Sequence, residues 1–281
     1  MIEQELRDTC RKLLEAGTVQ VIIGYGGAGD GSPPFPIFVT DPTQVDRLIY
    51  NNRCVHNLTT YLTRKDVQRL GKPAIVVKGC DERTVVMLEK EAQIDRSKVY
   101  VIGVACEGLA APQPSKCATC EVHQPRFADV VLGSATNGTF SKDERYSDVA
   151  EFLKRSSQDR LEYWKAELSR CTRCYACRQV CPLCYCQLCI MDKNRPQAVD
   201  TSPHLEGNFA YHITRAFHLA ARCVGCEECS RVCPAHIDLR LLNKTLARGA
   251  EEDFGFLPGM NPEAELVTGC YSLTDREDFI K

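Results

Sequence analysis

Apolar residues in the first part of the chain gather into four short β-rich runs, at 19–23, 36–39, 74–77 and 99–102. The stretches between them, such as 83–93, carry helical spacing. Apolar runs that alternate with helical spacing predict an α/β domain. Beyond Ser141 the pattern changes, and Val149, Phe152, Leu153, Leu161, Trp164 and Leu168 recur near a 3.6-residue period. No later run reads as a strand. Asn137-Gly138 and the polar run 141–145 place a boundary between about 135 and 145. The division expected is an α/β domain over 1–138 and an all-α domain over 139–281.

The chain has 281 residues, 44% apolar and 26% charged, enough to bury a core. Lys and Arg number 35 against 37 Asp and Glu, and a net charge of -2 supplies no basic field for a phosphate backbone, so no nucleic-acid partner is expected. No segment approaches the roughly 18 unbroken apolar residues of a membrane helix. Met1-Ile2-Glu3-Gln4-Glu5 lacks the basic start and apolar segment of an export signal, which predicts a cytoplasmic protein. The 18 cysteines change the picture. Cytosolic thiols stay reduced and a chain of this length folds without disulfides, so metal ligation is the expected use.

The thiols carry an internal repeat: Cys171-x2-Cys174-x2-Cys177-x3-Cys181-Pro182 recurs 52 residues later as Cys223-x2-Cys226-x2-Cys229-x3-Cys233-Pro234. Three thiols at this spacing can come from one tight loop around a 4Fe-4S cubane, and in two-cluster ferredoxins the cysteine before the proline ligates the other cluster. That crossing rule predicts Cys171, Cys174, Cys177 and Cys233 for one cluster, and Cys181, Cys223, Cys226 and Cys229 for a second. Zinc knuckles also use CxxC pairs, but a tetrahedral ion does not ask for two full copies with a trailing Cys-Pro. Separated by 41 residues that include the helical segment 209–221, the repeats resemble the α-helical ferredoxin domains of fumarate reductase iron-sulfur subunits and heterodisulfide reductase C subunits, over about 145–250. Cys184, Cys186 and Cys189 are extra to that pattern. A further metal site on these three would need a fourth ligand such as His204; the alternative is that Cys184 and Cys189 pack as small apolar residues.

Cys80 and Cys106 each follow a predicted strand, beside Gly79, Gly103 and Gly108, and Cys117-x2-Cys120 follows in a loop. Strand ends on one edge can converge on one site, and glycine lets backbone amides approach a cluster. A zinc site on these four remains open. The motifs Lys72-Pro73-Ala74-Ile75-Val76-Val77-Lys78-Gly79-Cys80, Val101-Ile102-Gly103-Val104-Ala105-Cys106 and Cys117-x2-Cys120, followed by Phe127-Ala128-Asp129-Val130-Val131-Leu132-Gly133, resemble the β subunits of deazaflavin-dependent hydrogenases and formate dehydrogenases over about 15–135. That resemblance implies a third 4Fe-4S cluster on Cys80, Cys106, Cys117 and Cys120, and FAD.

Other signals carry less. Gly24-Tyr25-Gly26-Gly27-Ala28-Gly29 fits GxGxxG, but Asp30-Gly31-Ser32-Pro33-Pro34 forbids the helix a dinucleotide site needs, so a Gly-Pro loop is expected. Cys10, Cys54 and Cys270 stand alone and read as packing or surface thiols, and His236 as an ordinary histidine. No nucleophile-base-acid arrangement is visible. The function expected is a non-catalytic electron-transfer subunit of anaerobic metabolism, relaying electrons through three 4Fe-4S clusters. By resemblance its partners are a hydrogenase, formate dehydrogenase or NADH-oxidising flavoprotein, and a heterodisulfide-reductase-like flavoprotein. The alternative is a flavin-containing oxidoreductase subunit that itself acts on a deazaflavin or a similar two-electron carrier.

Overall fold

The computed structural model describes residues 2–110, 114–193, 195–197, 200, 202–271 and 273. Five strands, β1 (Val21–Gly26), β2 (Phe35–Val39), β3 (Pro73–Lys78), β4 (Tyr100–Val104) and β5 (Val130–Leu132), form one mixed sheet in the order β2-β1-β3-β4-β5. β2 runs antiparallel to β1, and the other pairs are parallel. The four apolar runs are β1 to β4, and β3 is buried almost end to end, as a parallel strand covered on both faces must be. β1 extends beyond its apolar run by pairing with β2 as far as Gly26, and glycine is needed within it: a Cβ on Gly24 would lie 2.4 Å from Leu48. No helix opens after it, and residues 27–34 form a loop as expected. β5 is only three residues long and has no sequence signal comparable to the others.

The helices are α1 (Ile2–Glu15), α2 (Lys65–Gln68), α3 (Gly79–Lys90), α4 (Ser115–Ala118), α5 (Lys142–Arg145), α6 (Ser147–Leu153), α7 (Ser157–Ser169), α8 (Ala176–Val180), α9 (Leu205–His218), α10 (Glu228–Arg231) and α11 (Leu239–Phe254). Among the described residues no strand follows β5. The helical stretch beyond Ser141 is divided by capping residues. Ser141 and Glu144 form a capping box on α5, and Ser156 starts α7 by accepting from the Asp159 amide.

Two hydrophobic cores result. One surrounds the sheet and includes Leu6, Cys10, Ile75 and Ile102 together with Leu183, Leu219, Val224, Ala250 and Phe256 from beyond the 135–145 stretch. The other lies among the helices around Phe152, Trp164, Leu168, Tyr211 and Ile237. Ion pairs also join the two parts: Arg145 contacts Glu121 at 2.9 Å, and Arg222 pairs with Glu91. Among the described residues no helix is long and apolar enough to cross a membrane.

Candidate functional site

The register of β3 against β4, with Lys78 opposite Val104, sets their carboxyl ends side by side. Cys80 therefore enters the first turn of α3 next to Cys106, which lies two residues beyond β4. Cys117 on α4 and Cys120 just past it complete a wall of four thiols around one cavity, with Lys78, Lys116 and His123. The close approach depends on Gly79, because a Cβ there would sit 2.2 Å from the Val122 carbonyl. Beneath the thiols Lys78 is 1% exposed, and its ammonium contacts Asp81 at 2.6 Å, the Tyr25 hydroxyl at 2.7 Å and the His56 carbonyl at 3.0 Å. Burial works against that charge, but the Asp81 carboxylate together with Tyr25, Cys80 and Tyr50 outweighs it, and the amine stays protonated. Burial also pushes the Cys80 thiol well up.

The sequence repeat is also a structural repeat. Arg173 (φ 56°) and Tyr175 (φ 60°) are left-handed, and so are Gly225 (φ 73°) and Glu227 (φ 61°), 52 residues later. Each pair precedes a short helix, α8 or α10, that carries the third thiol of its triplet. Three of these four residues are not glycine, and each left-handed L-residue costs about 1–2 kcal/mol that its surroundings must offset. Arg173 is held by the Gly207 carbonyl at 2.8 Å and by the Tyr211 ring 4.5 Å from its guanidinium carbon. The loop turns amides toward sulfur, and the Arg173 N–H donates to Cys171 Sγ at 3.4 Å.

Each triplet shares a cavity with the remote cysteine of the other copy. Cys171, Cys174, Cys177 and Cys233 line one cavity, while Cys181, Cys223, Cys226 and Cys229 line another. Cys80 and Cys120 form part of the wall of that second cavity, so the sheet-edge thiols adjoin it. Burial raises Cys177 to about 11 and Cys229 to about 12. A bound cation would hold such thiols deprotonated.

Helix α9 crosses behind both repeats and contributes groups that the cysteine spacing does not reveal. Asn208 donates to the carbonyls of Leu168 and Cys171. His212 Nε2 lies 3.3 Å from Cys171 Sγ, and burial, helped by Arg215 and Arg173, lowers its ring to about 3, leaving it neutral. Arg215 donates to the Cys177 carbonyl at 3.1 Å and lines the second cavity. Asn243 on α11 approaches Cys229 Sγ at 3.6 Å. Asn208, His212 and Arg215 occupy positions i, i+4 and i+7, so polar residues on the inward stripe of a helix were the available signal.

The extra thiols are placed in different surroundings. Cys184 packs on the sheet core, Cys189 on the helical core, and Cys186 is exposed. A hydrogen bond from Cys181 lowers the Cys184 thiol to about 7 despite burial, and Arg215 helps. His204 caps α9 through the Gly207 amide and pairs with Asp200 and Glu206, both at 3.0 Å. Cys10 and Cys54 are buried, and Cys270 and His236 are exposed.

The fold is thus a cysteine-rich α/β protein whose sheet edge and helical repeats present three adjoining walls of four thiols. Similar proteins bear subunit names from formate-oxidising complexes. The F420-dependent formate dehydrogenase subunit beta of Methanocaldococcus jannaschii is 20% identical over 347 aligned positions, covering 89% of this chain and 89% of that protein. The F420-dependent formate dehydrogenase 1 subunit beta of Methanococcus maripaludis is 22% identical over 354 positions, covering 92% and 90%. The likeness therefore runs well past the 15–135 stretch that carries the motifs. No family model matches the chain.

Proposed function

We propose that this chain is an iron-sulfur electron-transfer subunit of an oxidoreductase complex. Cys171, Cys174, Cys177 and Cys233 would hold one 4Fe-4S cluster, Cys181, Cys223, Cys226 and Cys229 a second, and Cys80, Cys106, Cys117 and Cys120 a third. One observation carries the reading: each triplet shares its cavity with the remote cysteine of the opposite repeat, the exchange that paired cubanes use. Zinc draws thiolates to about 2.3 Å of a single point. Four thiols spread around the wall of one cavity suit a cage.

Clusters held there would supply one-electron redox chemistry, with potentials set by burial, charge and hydrogen bonds to sulfur. The chain's own residues arrange the rest. The Cys171 cavity connects through α8 and Arg215 to the Cys181 cavity, which shares Cys80 and Cys120 with the sheet-edge cavity. Exposed Cys174 brings one end of this row to the surface, where a partner can dock. The names of the relatives support a formate-dehydrogenase-type partner. A heterodisulfide-reductase-like flavoprotein on the other side rests on the resemblance of the helical half alone.

A second reading follows from the breadth of the likeness to proteins named as F420-dependent: the chain binds FAD and itself acts on a deazaflavin. Iron, acid-labile sulfide, zinc and flavin per chain, measured on anaerobically isolated protein, test both. About twelve irons and no flavin support the relay, at four per cluster. Twelve irons with released FAD favour the second reading. A colourless, sulfide-free protein would overturn both.

A further inference from the structure

Each gap between neighbouring thiol sets contains a cation that pairs with no carboxylate among the described residues. Between the Cys171 and Cys181 sets stands Arg215, 6% exposed, with its Nε unpartnered and one guanidinium nitrogen on the Cys177 carbonyl at 3.1 Å. The groups that favour its charge most strongly are thiols: Cys184, Cys181, Cys229 and Cys177. Between the Cys181 and Cys80 sets stands Lys116, which lines both cavities and sends its ammonium to the Cys226 carbonyl at 3.1 Å. Arg83 lines the same gap with its guanidinium on the Pro258 carbonyl at 3.0 and 2.8 Å. The acids nearby have partners of their own: Glu228 pairs with Arg231 at 2.6 Å, Glu121 with Arg145 at 2.9 Å and Asp81 with Lys78 at 2.6 Å.

A buried cation without a counterion is costly, and proteins keep one only where an anion compensates it. Arg215 is such a cation and Lys116, half-buried, bears part of the same cost; the carbonyl contacts of neither neutralise a full charge. An iron cubane ligated by four thiolates carries net negative charge, and reduction adds to it. A fixed cation between two such sites favours the reduced form of both and offsets the repulsion that an electron on one exerts on the next.

We propose that Arg215 and Lys116 are positioning residues that electrostatically couple adjacent clusters, each raising the reduction potential of the pair it separates. This rests on the cluster assignment above. The test is a redox titration followed by electron paramagnetic resonance on the full chain, purified without oxygen. Signals are assigned by their loss in Cys174→Ala and Cys120→Ala. Arg215→Gln should keep twelve irons and lower the midpoints of the Cys171 and Cys181 sets by at least tenfold in the one-electron equilibrium, about 59 mV, leaving the Cys80 set in place. Lys116→Gln should lower the Cys181 and Cys80 sets and spare the Cys171 set. Arg215→Lys, which keeps the charge, should stay near wild type. Iron-replete variants with unmoved midpoints would overturn this proposal alone, whereas an iron-free wild type would overturn the cluster reading with it. If Arg215→Gln loses iron, Lys116→Gln decides by itself, since its side chain is only half-buried and its removal leaves no deep void.

Discussion

Arg222, four residues past α9, grips Glu91 at the end of α3 from the opposite part of the chain, with one guanidinium nitrogen 2.7 Å from Oε2. The Tyr185 hydroxyl donates to the same oxygen at 2.8 Å. Glu91 is 8% exposed and Arg222 18%, so solvent screens the pair little. Removing one partner leaves the other charge buried and uncompensated. Glu91→Ala should therefore destabilise the protein by about 2–4 kcal/mol, read as a lowered thermal midpoint. The double variant with Arg222→Gln should lose less than the sum of the two single changes. Strict additivity would show that the contact does not tie the sheet to the helices.

Gly79 offers a test of the sheet-edge site that touches no thiol. A methyl group there would meet the Val122 carbonyl at 2.2 Å and drive α3 away from the segment that follows Cys120. Gly79→Ala should cost about 1–3 kcal/mol of overpacking. It should also reduce iron by about four per chain, leaving the signals of the Cys171 and Cys181 sets intact. Full iron content would mean that Cys80 and Cys120 need not be held at this separation.

How much of this could be read in advance follows from how local each signal is. Strands β1 to β4 and the cysteine repeat were legible because apolar runs and thiol spacing are written in consecutive residues. The three-residue β5 carries almost no pattern, and its pairing with β4 is decided by tertiary contact. Helix α1 carries a fainter signal, since Leu6, Cys10 and Leu14 stand four residues apart on one buried stripe among polar residues and form no apolar run. Which cysteines share a cavity could be anticipated from their spacing, but not that Lys116 or Arg215 lines one. Nothing in a sequence tells a lysine that reaches into a thiol-lined cavity from one in water until the chain has folded. For the same reason Cys184, Cys186 and Cys189, only five residues apart end to end, could not be seen to part into two cores and solvent.

His212 lies close enough to Cys171 Sγ, at 3.3 Å, to donate from Nε2, and its Nδ1 is buried without a partner. Because burial leaves the ring neutral, the contact is a hydrogen bond rather than an ion pair. His212→Phe keeps the ring volume and removes the donor. The expected result is full iron content with the midpoint of the Cys171 set lowered about fivefold in its one-electron equilibrium, roughly 1 kcal/mol. Equal shifts in all three sets would point instead to a general loosening of the helical core.

Cys174 and Cys120 separate the two thiol assignments. Cys174 is exposed and lies in the first repeat, whose cavity also contains Cys233 from the second repeat. The Cys233 side of that cavity is built by the same turn that ends α10, so emptying one cavity loosens the backbone that shapes the other. Cys174→Ala should therefore remove at least four irons and weaken retention of four more, seen as faster iron loss to a chelator. Cys120 belongs to the sheet edge, and although it borders the second cavity it is not one of that cavity's assigned ligands. Cys120→Ala should leave about eight irons and abolish one paramagnetic signal, with the signals of the Cys171 and Cys181 sets unchanged. Wild-type iron in Cys174→Ala would refute the crossed pairing, and an unchanged spectrum in Cys120→Ala would refute the third site.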